Sequence, residues 1–281
     1  MLRTGITTSA YWKPGTKECD YEKMASHGYS CADYSGICRP DAPYYSMNDD
    51  ELRCAMQEEV KKASAAGIEI YQVHGTWPVI DTTEELRAQN LESMKTCVRA
   101  TSFLGTKYLI VHPLMPYEWN DELDSDFAEK VNEEFFRALC TYALEWNVCI
   151  CIENMPTKKH RLAGIPNLVE FVKRLNFPNF FICLDTGHCN TAGHDAGEMV
   201  TLCGDLLKAF HIHDNSGFRD EHYMPFGGNI NWNSFRKALG ESSFEGSVSI
   251  ESSLNCFLPP ELKERQQVTL GLMAKYLAEV K

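Results

Sequence analysis

Two hydrophobic periods take turns along this chain. Short apolar runs of strand length are separated by longer stretches in which apolar residues recur every three to four positions, the spacing that lines one face of a helix. The pattern predicts strands over 4–10, 31–34, 68–74, 108–112, 148–153, 180–185, a run closing at His211, and 247–251. Helices are predicted over 17–26, 47–66, 83–104, 121–146, 166–175, 196–203, 232–239 and 259–280. Gly67 and Gly105 stand where a helix must stop, Pro166 opens a first turn, and Asn231 is placed to cap the helix that follows it. Strand–helix alternation implies a parallel sheet, and eight such units imply closure into a TIM (β/α)8 barrel, an α/β fold taking up 1–281 as one domain. The competing fold, an open doubly wound sheet, usually carries a glycine-rich phosphate loop after its first strand, and residues 4–14 contain none.

Six of the eight predicted strands end on ionisable residues: His74, His112, Glu153, Asp185, His211 and Glu251. A charged side chain at the end of an apolar run is costly to bury unless something pairs with it. In a barrel all strands point the same way, so these six converge on the C-terminal mouth, where active sites of this fold lie. His188, Asp220 and His222 follow in the loops just beyond. His213 shares the face of His211 by strand alternation and is expected behind the ligands, steering one of them or its water. Carboxylates and imidazoles at one mouth suit a divalent metal ion: zinc, manganese, cobalt or magnesium. Each residue alone would be an ordinary hydrogen-bonded group at a strand end, but packing does not favour ionisable side chains at six ends of eight.

Composition narrows the function. A hydrophobic content of 44% supports a large core, and a net charge of −12 argues against a broad nucleic-acid surface while leaving room for a local basic patch. Lys158-Lys159-His160-Arg161 is such a run; it reads as a solvated loop first and a phosphate grip second. The 12 cysteines include no C-x-x-C pair, which excludes a zinc ribbon. Cys149, Cys151 and Cys183 lie in apolar strands, where cysteine acts as a small hydrophobe. The first residues do not read as a signal peptide and no apolar run has membrane-crossing length, so a reduced, cytoplasmic protein is expected. Trp77-Pro78 and Tyr117 to Trp119 follow the third and fourth strands and could wall a sugar pocket or simply pack loops. Gly227-Gly228 is either a phosphate loop or a tight turn. Nothing is assigned to His194 or to His160 as a single residue.

An ordered set of motifs carries a resemblance. Ile152-Glu153-Asn154, Leu184-Asp185-Thr186-Gly187-His188, His211-Ile212-His213-Asp214-Asn215, Asp220-x-His222 with P-F-G-G-N-I-N-W over 225–232, and Ser249-Ile250-Glu251 resemble the xylose isomerase-like TIM-barrel superfamily across about 73–252. That group contains sugar and sugar-phosphate isomerases and epimerases, and also endonuclease IV. The resemblance to its ketose 3-epimerases implies one divalent metal held by Glu153, Asp185, His211 and Glu251. The two glutamates would exchange a proton at the carbon beside a carbonyl through an enediolate, and His188 would bind substrate. Those epimerases place an arginine about six residues after the metal histidine, where this chain has Gly217, with Arg219 two further on. The resemblance to endonuclease IV implies instead three zinc ions on His74, His112, Glu153, Asp185, His188, His211, Asp220, His222 and Glu251, with abasic DNA as substrate. The expectation is a metal-dependent isomerase or epimerase acting on a small carbohydrate. A zinc phosphodiesterase is the alternative, followed by a lyase or dehydratase using the same enediolate chemistry and a binding protein without catalysis. Self-association into a homo-oligomer stays open.

Overall fold

The computed structural model of the protein describes residues 2–79, 82–115, 125–157, 160–254 and 257–280. Its strands are β1 (Arg3–Thr7), β2 (Cys31–Tyr34), β3 (Glu69–His74), β4 (Tyr108–Val111), β5 (Cys149–Glu153), β6 (Phe180–Asp185), β7 (Leu207–His211) and β8 (Ser247–Ile250). All laddered neighbours are parallel, in the order β7-β6-β5-β4-β3-β2-β1-β8. The ring closes through Ile212, whose N–H donates to Ser249 O (2.8 Å) and whose carbonyl accepts from Glu251 N (2.9 Å). The result is the expected α/β TIM barrel.

Strand alternation sorts the side chains into two sets. One set, including Ile6, Val73, Leu109, Ile152, Leu184 and Ile250, faces outward into the main core beneath the helices. Burying each large side chain of this kind stabilises by ~1.5–3 kcal/mol. The other set faces inward: Ile110, Cys151, Cys183 and Ala209 form their own cluster, apart from that core, with Tyr108 and Phe181 packed against it. Gly5 belongs to this inner set, because a Cβ there would stand 2.4 Å from Ser247 Oγ and 3.0 Å from Cys31 Sγ. The inner face is where the ionisable residues appear: Cys151 is followed by Glu153, Cys183 by Asp185, Ala209 by His211 and Ser249 by Glu251, each two positions on.

The surrounding helices are α1 (Tyr21–Ser26), α2 (Asp49–Ala65), α3 (Glu84–Phe103), α4 (Ser125–Glu145), α5 (Ile165–Leu175), α6 (Thr186–Ala192), α7 (Ala196–Cys203), α8 (Trp232–Glu241) and α9 (Pro260–Ala278). Asn48 and Glu51 form a capping box on α2, and Asn231 caps α8 through Ser234 N, as predicted. Two boundaries differ clearly from the sequence reading, and one helix is new. β1 ends at Thr7, and Thr8–Tyr11 turns into a short 3-10 helix. The helix predicted over 17–26 starts only at Tyr21, where Asp20 caps it. The described part of α4 starts at Ser125, and the predicted start at 121 lies outside the described residues. α6 was not foreseen: seven residues are under two turns, too short for a helical period to declare itself.

Candidate metal centre

The C-terminal ends of the strands frame a cavity of about 560 Å³ lined by, among others, His74, His112, Glu153, His188, His222 and Glu251. A second cavity of about 550 Å³ lies at the other end of the barrel, beside Arg3, Glu69 and Lys208 at the strand starts. Size therefore does not identify the site; chemistry does. Only the C-terminal cavity meets the groups of converging His, Asp and Glu atoms found among the described residues.

Each motif places its side chains by a specific local device. Asn154 extends the β5–β6 pairing by one side chain: its Nδ2 donates to Asp185 O (3.0 Å) and its Oδ1 accepts from Asp185 N (2.8 Å). Glu153 and Asp185 are thereby held side by side at the floor. Asp185 also caps α6, accepting from His188 N at 2.7 Å, so the His188 ring folds back over the strand ends. Its Nδ1 lies 2.6 Å from Asn154 O and its Nε2 3.2 Å from Asp220 Oδ2. Asp214 ties down the long loop after β7, accepting from Asn215 N, Ile230 N and Trp232 Nε1. Gly228 passes so close that a Cβ would lie 2.1 Å from Asn215 O. Gly227 N donates to Met224 O (2.9 Å), and neither Gly227 nor Gly228 lines the cavity.

The predicted residues come together in three groups, the first two sharing Glu153 and His211, the ligand atoms of each lying within 4.8 Å of one another: Glu153, Asp185, His211 and Glu251; His74, Glu153 and His211; and His188, His213, Asp220 and His222. His112 joins through Glu153, its Nε2 3.0 Å from Oε2. His211 Nδ1 lies 2.7 Å from Glu153 Oε1 and 3.3 Å from Glu251 Oε2. His213 is more than a residue behind the ligands. Its Nε2 is 3.0 Å from Asp185 Oδ1 and 3.6 Å from Asp220 Oδ1, and its ring stacks on His222 at 3.9 Å. It links the floor group to the loop group. His222 takes a left-handed backbone (φ 50), uncommon for a residue with a side chain, and its Nε2 is 3.1 Å from Asp220 Oδ2.

Sequence reasoning missed Asp33 and Gln72. Both are buried, and Asp33 Oδ2 lies 2.9 Å from His211 Nε2 and accepts from Gln72 Nε2 at 3.0 Å. Asp33 precedes the last residue of its strand, so a search of strand ends passes over it; inward parity with Cys31 was the signal. Of the aromatics, Trp77 lines the cavity. Tyr117 to Trp119 and Lys158-Lys159 lie outside the described residues. Arg219 does not line the cavity.

The electrostatics are those of a cation site. Burial opposes charge on His188, but Asp185, Asp220 and Glu153 outweigh it and push it up to about 10. Burial likewise opposes charge on His222, yet Asp220, Glu251 and Asp185 push it up to about 9. His211 rises well above its ordinary value against its burial, because Glu153, Glu251 and Asp33 surround it. Burial raises Glu153, but His211 and His112 overcome this and hold it well below the usual carboxylate range. Burial dominates at His112 and lowers it, leaving a neutral imidazole. Burial also pushes the thiols beneath the floor, Cys151 and Cys183, well up, so they stay protonated and are poor ligands. Two buried atoms here lack a hydrogen-bond partner, Asp185 Oδ2 and His112 Nδ1. Native interiors rarely leave such atoms unpaired. Oxygen and imidazole donors aimed at one volume fit a divalent ion of zinc, manganese or cobalt type.

An eight-stranded barrel with a buried His/Asp/Glu cluster at its C-terminal mouth defines a class of metal-site TIM barrels. Within it, residues 21–270 match the family described as xylose isomerase-like TIM barrel, and the chain belongs to that family. It is 31% identical over 257 residues, 89% of this chain and 84% of the relative, to the "Uncharacterized protein MJ1311" of Methanocaldococcus jannaschii. It is 24% identical over 188 residues, 61% of this chain and 65% of the relative, to a "Probable endonuclease 4" of Mesomycoplasma hyopneumoniae. In fold it is similar to a crystal structure of D-psicose 3-epimerase in the presence of D-fructose, with a TM-score of 0.80, 18% identity, and 99% of both chains covered.

Proposed function

We propose that the protein is a divalent-metal-dependent isomerase or epimerase of a sugar or sugar phosphate. The carrying observation is the convergence of Glu153, Asp185, His211 and Glu251 on one point at the floor of a cavity of about 560 Å³. A bound divalent ion would be held by these four and would supply Lewis-acid polarisation of the substrate's carbonyl and hydroxyl oxygens. The chain's own residues do the rest. Glu251, its side chain 23% exposed, faces the cavity and takes the proton from the carbon beside the carbonyl; Glu153, across the floor, serves the other face. His188 lines the cavity and its Nε2, 3.2 Å from Asp220 Oδ2, can bind a substrate oxygen in competition with Asp220. Trp77 walls the cavity. Arg39 and Lys263 line it too, without ion pairs among the described residues, and can meet a phosphate on the substrate.

A second reading, a zinc phosphodiesterase acting on abasic DNA, is favoured by one observation. His188, Asp220 and His222 form a further ligand group with His213, and His74 joins Glu153 and His211 in another. One experiment divides the two readings. Metal-replete protein is analysed for ion content, then assayed for solvent deuterium uptake into a panel of ketoses, inososes and their phosphates, and for cleavage of abasic DNA. Deuterium uptake by protein holding one ion per chain supports the isomerase. Three ions per chain with DNA cleavage and no exchange moves the protein to the phosphodiesterases.

A further inference from the structure

We propose that Asp33 is a positioning residue: it grips His211 by Nε2 and so aims Nδ1 at the metal centre, an inference that rests on the metal-dependent reading above. The His211 ring is fully buried and its nitrogens face opposite ways. Nδ1 lies among the site carboxylates, 2.7 Å from Glu153 Oε1 and 3.3 Å from Glu251 Oε2, whereas Nε2 lies 2.9 Å from Asp33 Oδ2. Carboxylates have no proton to donate, so without a metal both ring nitrogens carry a hydrogen; a metal entering among Glu153 and Glu251 would displace the Nδ1 hydrogen, while Asp33 keeps the one on Nε2.

Asp33 is itself held in place. Gln72 Nε2 donates both to Asp33 Oδ2 (3.0 Å) and to Phe210 O (3.2 Å), the carbonyl next to His211. One amide thus fixes the carboxylate and the backbone carrying the ring in a single frame. His74 closes one face of the ring by parallel stacking at 5.4 Å. Asp33 is not in any ligand group. Its other oxygen, Oδ1, is buried without a hydrogen-bond partner, an expensive state for a carboxylate that stability alone does not favour. What the arrangement gains is a ligand with fixed tautomer and direction, the service that carboxylate–histidine pairs perform behind metal ions.

The test uses the full chain with Asp33→Ala and Asp33→Asn. Titration with Mn²⁺ and Co²⁺ is expected to show affinity weakened about 10–100-fold in Asp33→Ala, with an altered cobalt absorption band. Asp33→Asn, which keeps an acceptor for Nε2–H, should stay within a few-fold of the wild type. In parallel, metal-free protein with ¹⁵N-labelled histidine is expected to show an exchange-protected Nε2–H ring resonance, told apart from Nδ1–H by its couplings to both ring C–H hydrogens. That resonance should be assigned by its loss in His211→Gln, kept in Asp33→Asn and lost in Asp33→Ala. Wild-type affinity and cobalt spectrum in Asp33→Ala overturn the proposal, as does an unchanged ring N–H. Equal losses in both variants also overturn it, since charge rather than aim would then be at work. Should wild-type protein take up no ion, the metal-dependent reading fails, and the ring N–H measurement alone decides whether Asp33 sets the orientation of His211.

Discussion

Glu153 and Glu251 close the same kind of strand, yet the barrel treats them differently. Glu153 is 1% exposed and is met by both His112 and His211, whereas the side chain of Glu251 is 23% exposed and open to the cavity. Converting either to Gln keeps the size and removes a base, so exchange of substrate hydrogen should fall by about 10² or more in both. The variants should part company in metal affinity. Glu153→Gln disturbs two imidazole contacts and should bind Mn²⁺ more weakly than Glu251→Gln, a difference that calorimetric titration measures. Equal affinities in the two would contradict the asymmetry. The histidines give the metal-free protein a pH signature. His188 and His222, raised to about 10 and about 9 from 6.5, contribute stability that is fully present below about 6.5 and is lost as pH rises to 9–10. Glu153, Asp185 and Asp220 are depressed, so their contribution is present above about 4.5 and fades as pH falls. The thermal midpoint of the metal-free protein should therefore peak between about pH 5 and 6.5 and decline on both sides; a midpoint that climbs from pH 7 to pH 10 would contradict this.

At the level of elements, the β6–α6 junction shows what a short motif can and cannot reveal. Gly187 in the D-T-G-H run has no left-handed backbone, and its reason lies just past the neighbouring strand: a Cβ would come within 1.9 Å of His213 Cε1. Gly187→Ala must displace a ring that stacks on His222 and meets Asp185. A loss of about 3 kcal/mol is expected from such overpacking, read by urea denaturation, with altered metal uptake; a variant as stable as the parent would show that the ring moves freely. The motif's residue types were legible because the sequence places them in order at strand ends. The need for glycine was not, because His213 lies 26 positions away. The same holds for Asp33. Its partner His211 is 178 positions on, and nothing local distinguishes it from a polar residue near the end of a half-buried strand. The alternation of short apolar runs with helical periods was the most informative signal for the fold. It located all eight strands, and failures clustered at short pieces such as α6 and the 3-10 turn after β1, where fewer than two helical turns leave no period to read.

For the whole molecule, the ligands are unevenly distributed round the ring. Glu153, Asp185, His211 and Glu251 come from the second half of the chain, while the first half supplies His74, His112, Asp33 and Trp77. A protein of net charge −12 concentrates several carboxylates at one mouth, and like charges in a confined volume repel unless cations intervene. The ring also has a seam. β7 and β8 meet through a single bridge at Ile212, whereas β5 and β6 share four registered pairs. His211 and Glu251 stand on either side of that seam. Breathing of a closed sheet should start where the fewest bonds must break, so amide hydrogens of Ile212 and Glu251 should exchange with deuterium faster than those of Ile152 and Ile182. An ion gripping both banks would act as a rivet. Adding Mn²⁺ should then slow exchange at the seam far more than at β5–β6, turning the barrel's most mobile joint into one of its stiffest.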